Sequence, residues 1–183
     1  MNDEVIGVWS RILRGDATSR LLLKAGQLAA EGTRRALADR LERHGIGEGR
    51  VLIEAPGSYA DYLAAYGRVD IALDPFPYPG GATTAEGLWM GVPVVTLAGD
   101  RFISHQGESL LHAAGQPEWI ASSRTEYVDI ALRAASDREA LASVRAGLRD
   151  RVAQSPLFDA ALFARHLESA WRGMWQQWCT DGK

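Results

Sequence analysis

The chain has 183 residues, 46% of them hydrophobic and 23% charged, with a formal net charge of -3. That is a globular composition, long enough to bury a core without disulfides or metal, and its charge argues against a nucleic-acid binder. A single cysteine, Cys179, excludes a disulfide framework and a cysteine-rich zinc site, and no apolar run reaches the roughly 18 residues of a membrane span.

The first predicted element is a helix over residues 5–13, with Ile6, Trp9 and Leu13 on one face and Gly15-Asp16 as its stop. RLLLK, residues 20–24, is a short apolar run of the buried-strand type. Residues 31–44 are amphipathic, with Leu37 and Leu41 inward and Gly45 or Gly47 ending the helix. Val51-Leu52-Ile53 is a second strand, residues 60–66 a short helix, and residues 69–73 a third strand stopped by Asp74-Pro75. After a loop rich in proline and glycine, residues 84–90 read as a helix closed by Gly91, and residues 93–97 as the next strand. This rhythm predicts an α/β fold, a Rossmann-like parallel sheet covered on both faces. Beyond Gly107 the pattern turns helical, over 108–114, 124–134, 138–152 and 159–178. The expectation is a single domain, with an α/β core over 1–135 and a C-terminal helical extension over 137–178. The last helix carries Phe163, Leu167, Trp171, Trp175 and Trp178 in one continuous stripe.

Ligands of an open parallel sheet lie at the carboxyl ends of its strands. Three loops qualify: the one holding Pro56-Gly57-Ser58-Tyr59, the one reading DPFPYPGGATT over residues 74–84, and the one over 98–106. In the second, Gly80-Gly81 lets the backbone approach a ligand, and Thr83 or Thr84 can cap the helix that follows. Free N–H groups and the helix dipole then make an anion site suited to a diphosphate. Glu86, expected in the first turn, could accept both hydroxyls of a ribose. The same residues also fit a capped helix that binds nothing. The loop is neither a Walker loop nor GxGxxG. Tyr59, Tyr62 and Tyr66 could stack on a nucleobase, or Tyr62 and Tyr66 could simply pack on the sheet. None of the four histidines pairs with an acidic residue or a second histidine at metal-ligand spacing; His105, in the strand-end loop, is a candidate contact for phosphate or sugar, and Ser104-His105-Gln106 is otherwise a polar loop.

The stretch DIALDPFPYPGGATTAEGLWMGVPVVTLAGDRFISHQGESLL, residues 70–111, closely resembles the C-terminal catalytic half of protein O-GlcNAc transferases. The likeness is strongest to the SPINDLY-type members, which carry tetratricopeptide repeats upstream. It extends through VWSRILRGDATSRLLLK from Val8, YLAAYGRVD from Tyr62, EYVDIALRAASD from Glu126, VRAGLRD from Val144 and SPLFDAALFARHLESAWRGMW from Ser155, nearly the whole chain.

The resemblance implies one half of a GT-B glycosyltransferase, the half that holds the nucleotide-sugar. Carried over by position, Gly81, Ala82, Thr83 and Thr84 would contact the diphosphate and Glu86 the ribose. Gly57 would read the base edge, and Tyr59 and Tyr62 fall where many relatives have basic or imidazole side chains lining the base. His105 stands where many have Arg. Relatives commonly carry a Lys just before the segment aligned with Asn2, which neutralises the leaving group. The N-terminal GT-B half and the repeats are expected to be absent from this chain, and with them the catalytic residues. The implied activity is inverting transfer of GlcNAc from UDP-GlcNAc to Ser/Thr of proteins. The alternatives are a GDP-fucose-dependent protein O-fucosyltransferase half or a non-catalytic nucleotide-binding or interaction module. No metal or other cofactor is expected beyond the UDP-sugar or GDP-sugar donor. The expected partners are a protein acceptor and a second copy through the tryptophan helix, with no nucleic acid and no membrane. The expected setting is cytoplasmic.

Overall fold

Helix α1 (Asp3–Gly15) begins where the Asn2 side chain accepts the Val5 N–H at 2.9 Å, satisfying one orphan donor of the first turn. Its apolar face buries Val5, Ile6, Trp9, Ile12 and Leu13. The computed structural model describes residues 1–182, and in it α1 packs on α6 (Arg124–Ser136) and on α2 (Glu31–Arg43). Arg40 of α2 binds Asp3 at 2.7 Å. Arg50 donates to the carbonyls of Leu13, Asp16 and Ser19 at 2.7–2.9 Å, so one guanidinium closes the end of α1 against the start of the second strand.

The strands are β1 (Leu21–Lys24), β2 (Val51–Glu54), β3 (Ala72–Leu73), β4 (Val94–Leu97) and β5 (Ile120–Ala121). Every pairing is parallel, with Leu21 opposite Val51, Ala72 opposite Val94 and Thr96 opposite Ile120. The single sheet expected from the sequence is two hydrogen-bonded ladders, β1-β2 and β3-β4-β5. A cleft of about 1630 Å³ lies along Leu21–Lys24 on one side and residues 69–74 on the other. The third strand also starts later than expected, at Ala72 instead of residue 69. Its ladder opens with the Ala72 N–H on the Pro93 carbonyl, and the residues before Pro93 are spent on the turn that closes α4 (Ala82–Trp89). Gly91 makes that turn at φ +75°, a conformation side chains disfavour. β5 was not anticipated at all.

The core runs through β4, whose Val94, Val95 and Thr96 are buried, and on to Leu88, Leu111 and Tyr127. Helix α3 (Tyr59–Ala65) is held by a capping box between Ser58 and Asp61, and α5 (Gln106–Ala113) follows the β4 loop. Helix α7 (Arg138–Ala153), capped by Asp137, packs on α4 and buries Leu141, Leu148 and Val152. The last helix, α8 (Ala160–Thr180), buries none of its residues.

Candidate functional site

The loops after β3 and β4 leave the carboxyl ends of one parallel ladder, and side-chain bonds from Tyr59 and Tyr66 to α4 bring the loop after β2 beside them. The loop after β3 is anchored from below. Phe76 is buried edge-to-face against Tyr127, 5.7 Å between centroids. The Tyr127 hydroxyl donates to the Asp74 carbonyl at 2.9 Å and takes the Trp9 indole N–H at 3.3 Å. The Asp74 carboxylate accepts from the Gly80 N–H at 3.2 Å and from the Thr84 hydroxyl at 2.9 Å. A Cβ on Gly80 would stand 3.0 Å from that carboxylate and against both threonine hydroxyls, so only glycine fits.

Gly81 is the N-cap of α4, and no side chain caps the helix. The expectation that Thr83 or Thr84 would cap it is corrected: α4 starts earlier, at Ala82, and the Thr84 hydroxyl is spent on Asp74. The N–H groups of Ala82, Thr83 and Thr84 therefore open the helix with no intrahelical acceptor, on an exposed surface at Ala82 and Thr83. Such an end attracts anions. Glu86 sits one turn into α4, beyond the first turn where it was expected.

Glu86 is not free in this structure. The Tyr59 hydroxyl donates to its Oε1 at 2.9 Å, and that carboxylate in turn raises the Tyr59 phenol above its ordinary range. Tyr59 and Tyr62 stack at 6.1 Å, Tyr62 and Tyr66 meet edge-on and share a 2.7 Å hydroxyl contact, and Tyr66 donates to the Thr83 carbonyl at 3.0 Å. Burial raises Tyr62 and Tyr66, so both phenols stay neutral. Three tyrosines thus form a ladder from the β2 loop to the start of α4. Gly57 lies at the exposed base of that ladder, where a Cβ would press on Asp61 at 2.9 Å.

His105 is exposed and bound to Glu108 at 2.6 Å, with His112 3.9 Å from the same carboxylate. The expectation of unpaired histidines is corrected there, because two turns, from the N-cap of α5 onward, bring positions 105, 108 and 112 onto one face. Among the described residues, no group of three or more His, Cys, Asp or Glu side chains could hold a metal ion.

Two residues near the loop went unnoticed in the sequence. Gln106 places its amide nitrogen 2.6 Å from where a Gly81 Cβ would be, so the start of α5 leans over the loop. Asp74 read only as a strand stop. Of the expected site residues, Gly81, Ala82, Thr83, Thr84, Glu86, Tyr59 and Tyr62 converge around the start of α4, with Gly57 at the foot of α3 and His105 on the neighbouring loop. Only Tyr62, Thr83 and Thr84 of these line the large cleft, which runs beneath the site between the two ladders.

This geometry agrees with what the chain is similar to. Residues 1–167 match the model of glycosyl transferase family 41. The Petunia hybrida "Probable UDP-N-acetylglucosamine--peptide N-acetylglucosaminyltransferase SPINDLY" is 40% identical over 180 residues, 98% of this chain and 19% of that protein. The Arabidopsis thaliana protein of the same name is also 40% identical, over 96% of this chain and 19% of its own length. A mutant Thermobaculum terrenum O-GlcNAc transferase of known structure superposes with a TM-score of 0.91 at 38% identity, over 98% of this chain and 35% of that one. The chain thus spans about a fifth of the length of the curated relatives it matches. With the parallel α/β architecture shared and the family pattern covering most of its residues, the chain belongs to glycosyl transferase family 41.

Proposed function

We propose that this chain is the nucleotide-sugar-binding half of an inverting protein O-glycosyltransferase, with UDP-GlcNAc as the donor and Ser/Thr hydroxyls of proteins as acceptors in the complete enzyme. One observation carries the reading: the uncapped start of α4, with Glu86 one turn along it and Tyr59 set against Glu86. In that pose the free amides of Ala82, Thr83 and Thr84 and the peptide of Gly81 receive the diphosphate. The ribose meets Glu86, and the base lies along Gly57, Tyr59 and Tyr62. His105 stands at the sugar or phosphate side. The acceptor oxygen attacks the anomeric carbon as the bond to the diphosphate breaks, and the leaving group departs with the electron pair. Preorganised N–H donors stabilise the charge that develops on it. No metal takes part in this scheme. The names of the relatives support UDP-GlcNAc and a peptide acceptor.

The residues that activate the acceptor belong to the other GT-B half, so the chain alone binds without turnover. A cytoplasmic setting is part of the proposal, supported by one exposed free cysteine; among the described residues no helix is long and apolar enough to cross a membrane. A second copy is proposed as a partner of α8, whose Trp171, Trp175 and Trp178 are 55–64% exposed.

Calorimetric titration of the chain with UDP-GlcNAc and with GDP-fucose tests the donor. Stronger binding of UDP-GlcNAc is expected. Stronger binding of GDP-fucose moves the chain to the fucosyltransferase reading, and binding of neither at millimolar concentration leaves an interaction module.

A further inference from the structure

Asp74 is a carboxylate at 6% exposure that accepts from the Thr84 hydroxyl and the Gly80 amide, with no cation among its partners. Among the described residues no salt bridge reaches it. A buried carboxylate without a cation is costly and is normally kept for a purpose. Two of its bonds go to the diphosphate loop itself: Gly80, just before the N-cap of α4, and Thr84, in the first turn of α4. The Thr96 hydroxyl is fully buried and completes no hydrogen bond. It lies beside Asp74 across Gly107, where a Cβ would touch Thr96 Oγ1 and stand 2.9 Å from Asp74 Oδ2. A hydroxyl with no fixed partner can turn either way: it draws Asp74 down by donating to the carboxylate, and it can accept from the carboxyl group once that is protonated.

We propose that Asp74 is the positioning residue of the anion loop and is coupled to its ligand by a proton: a diphosphate arriving at α4 draws one proton from solvent onto the Asp74 carboxylate. The proposal rests on the reading of this loop as the diphosphate site. The ionised carboxylate orients Gly80 and Thr84 from beneath, which leaves the amides of Ala82, Thr83 and Thr84 outward. A diphosphate on the outer side then faces a like charge across one thickness of backbone. Like charges in a water-poor setting favour the neutral form of the one that can titrate.

Burial already pushes Asp74 up to about 6, against the opposing pull of Thr84, Gly80 and Thr96. The groups facing it are Thr84 from α4, Thr96 from β4, the Gly107 backbone from α5, and the phenols of Tyr66 and Tyr127, both held neutral by burial. Glu86 acts with Asp74 on Tyr66 from the outer side. His105 and Glu108, at the start of α5, are bonded to each other. The bound state holds Asp74 protonated to higher pH than the free state. Affinity is therefore greatest below the free-state value and falls as pH rises through about 6.

The test uses the chain as it is, with UDP-GlcNAc, whose two phosphates are both esterified and carry no titration between about pH 5 and 8. Calorimetry in buffers of different ionisation enthalpy should show a fractional proton taken up on binding near neutral pH, with affinity falling about threefold to tenfold across that range. Asp74→Asn should bind without uptake and without the pH slope, whereas His166→Gln, on the exposed face of α8, should keep both. In parallel, the Gly80 amide of the free protein, followed by NMR, should titrate with a midpoint of about 6. An amide that does not titrate overturns the proposal whether or not nucleotide binds. So does binding without proton uptake, or uptake that survives in Asp74→Asn. A titrating Gly80 amide in a chain that binds no nucleotide supports the hold of Asp74 on the loop and sinks the nucleotide reading instead.

Discussion

The loop after β3 and the helix α8 are both built from residues that the sequence makes conspicuous, yet they end in opposite states. The loop is short and rich in glycine and proline, and it is fixed from beneath by Phe76, Tyr127 and Asp74, all buried. The helix is long and well capped by Asp159, and it fixes none of its side chains. Regular secondary structure and rigidity are thus separate properties here. The loop takes its shape from contacts far away in sequence. Local bonding shapes α8, whose apolar stripe stands exposed at Phe163, Trp171, Trp175 and Trp178.

The largest expected effect lies on the loop side of this contrast. Leu88, on the inner face of α4, is fully buried. Leu88→Ala should cost about 2–5 kcal/mol in denaturant unfolding and weaken nucleotide binding in proportion to the loosened α4. A cost under about 0.5 kcal/mol would mean that α4 is not anchored as described.

Next comes Glu86→Ala. A ribose bonded to a carboxylate contributes about 1.5–3 kcal/mol, so UDP affinity should fall roughly tenfold to a hundredfold. Stability should stay within about 0.5 kcal/mol, since this side chain is half-buried and its bond to Tyr59 is solvent-exposed. Unchanged affinity by calorimetry would put the nucleotide elsewhere.

Tyr59→Phe has the opposite sign. The phenol occupies the carboxylate that the ribose needs, and it is 64% exposed, so its removal frees Glu86 while keeping an aromatic face for the base. Affinity should rise a few-fold, the equivalent of about 0.5–1.5 kcal/mol for one solvent-exposed hydrogen bond. A loss of affinity would show that the hydroxyl itself contacts the ligand.

On the helix side, Trp175→Gln should change unfolding of the monomer by less than about 0.5 kcal/mol, because the indole is 64% exposed and stacks on Trp178 of the same helix. Sedimentation should show weaker self-association than the unsubstituted chain. A large loss of monomer stability would mean that α8 is folded onto the core, and the contrast would collapse.

Much of this was legible in the residues. The stop at Gly91 is legible and takes the positive φ a helix end uses, whereas the side-chain caps Asn2, Ser58, Ser123, Asp137 and Asp159 carry a signal that the periodicity reading does not use. Strand identity was legible in β1 and β2, where three apolar residues run together, and in β4, where Val94-Val95 precedes Thr96-Leu97. It failed at β5, where Ile120 and Ala121 are a strand only because β4 lies beside them. It failed again at residues 69–71, where the pattern continues but the partner does not. Asp74 carried a signal that pointed the wrong way: Asp-Pro after an apolar run is turn chemistry, and nothing local says that Tyr127, 53 residues later, will roof the same residue. The site residues followed from motif position, and the bond from Tyr59 to Glu86 could not, since it depends on the packing of α3 against α4.

The placement of tryptophans decides what light reports about this molecule. Three of the six sit on α8 with 55–64% exposure, while Trp9 and Trp119 are buried at 5% and 6%. Intrinsic emission is therefore weighted towards water-exposed indoles, red-shifted and open to collisional quenchers before any unfolding begins. Association through α8 would shift that emission to the blue, as binding does in many proteins, with no nucleotide present. A fluorescence titration of the unsubstituted chain would mix the two signals. Replacing Trp171, Trp175 and Trp178 by phenylalanine leaves Trp9, Trp89 and Trp119, of which Trp9, bonded to Tyr127 and through it to the Asp74 backbone, is wired to the loop.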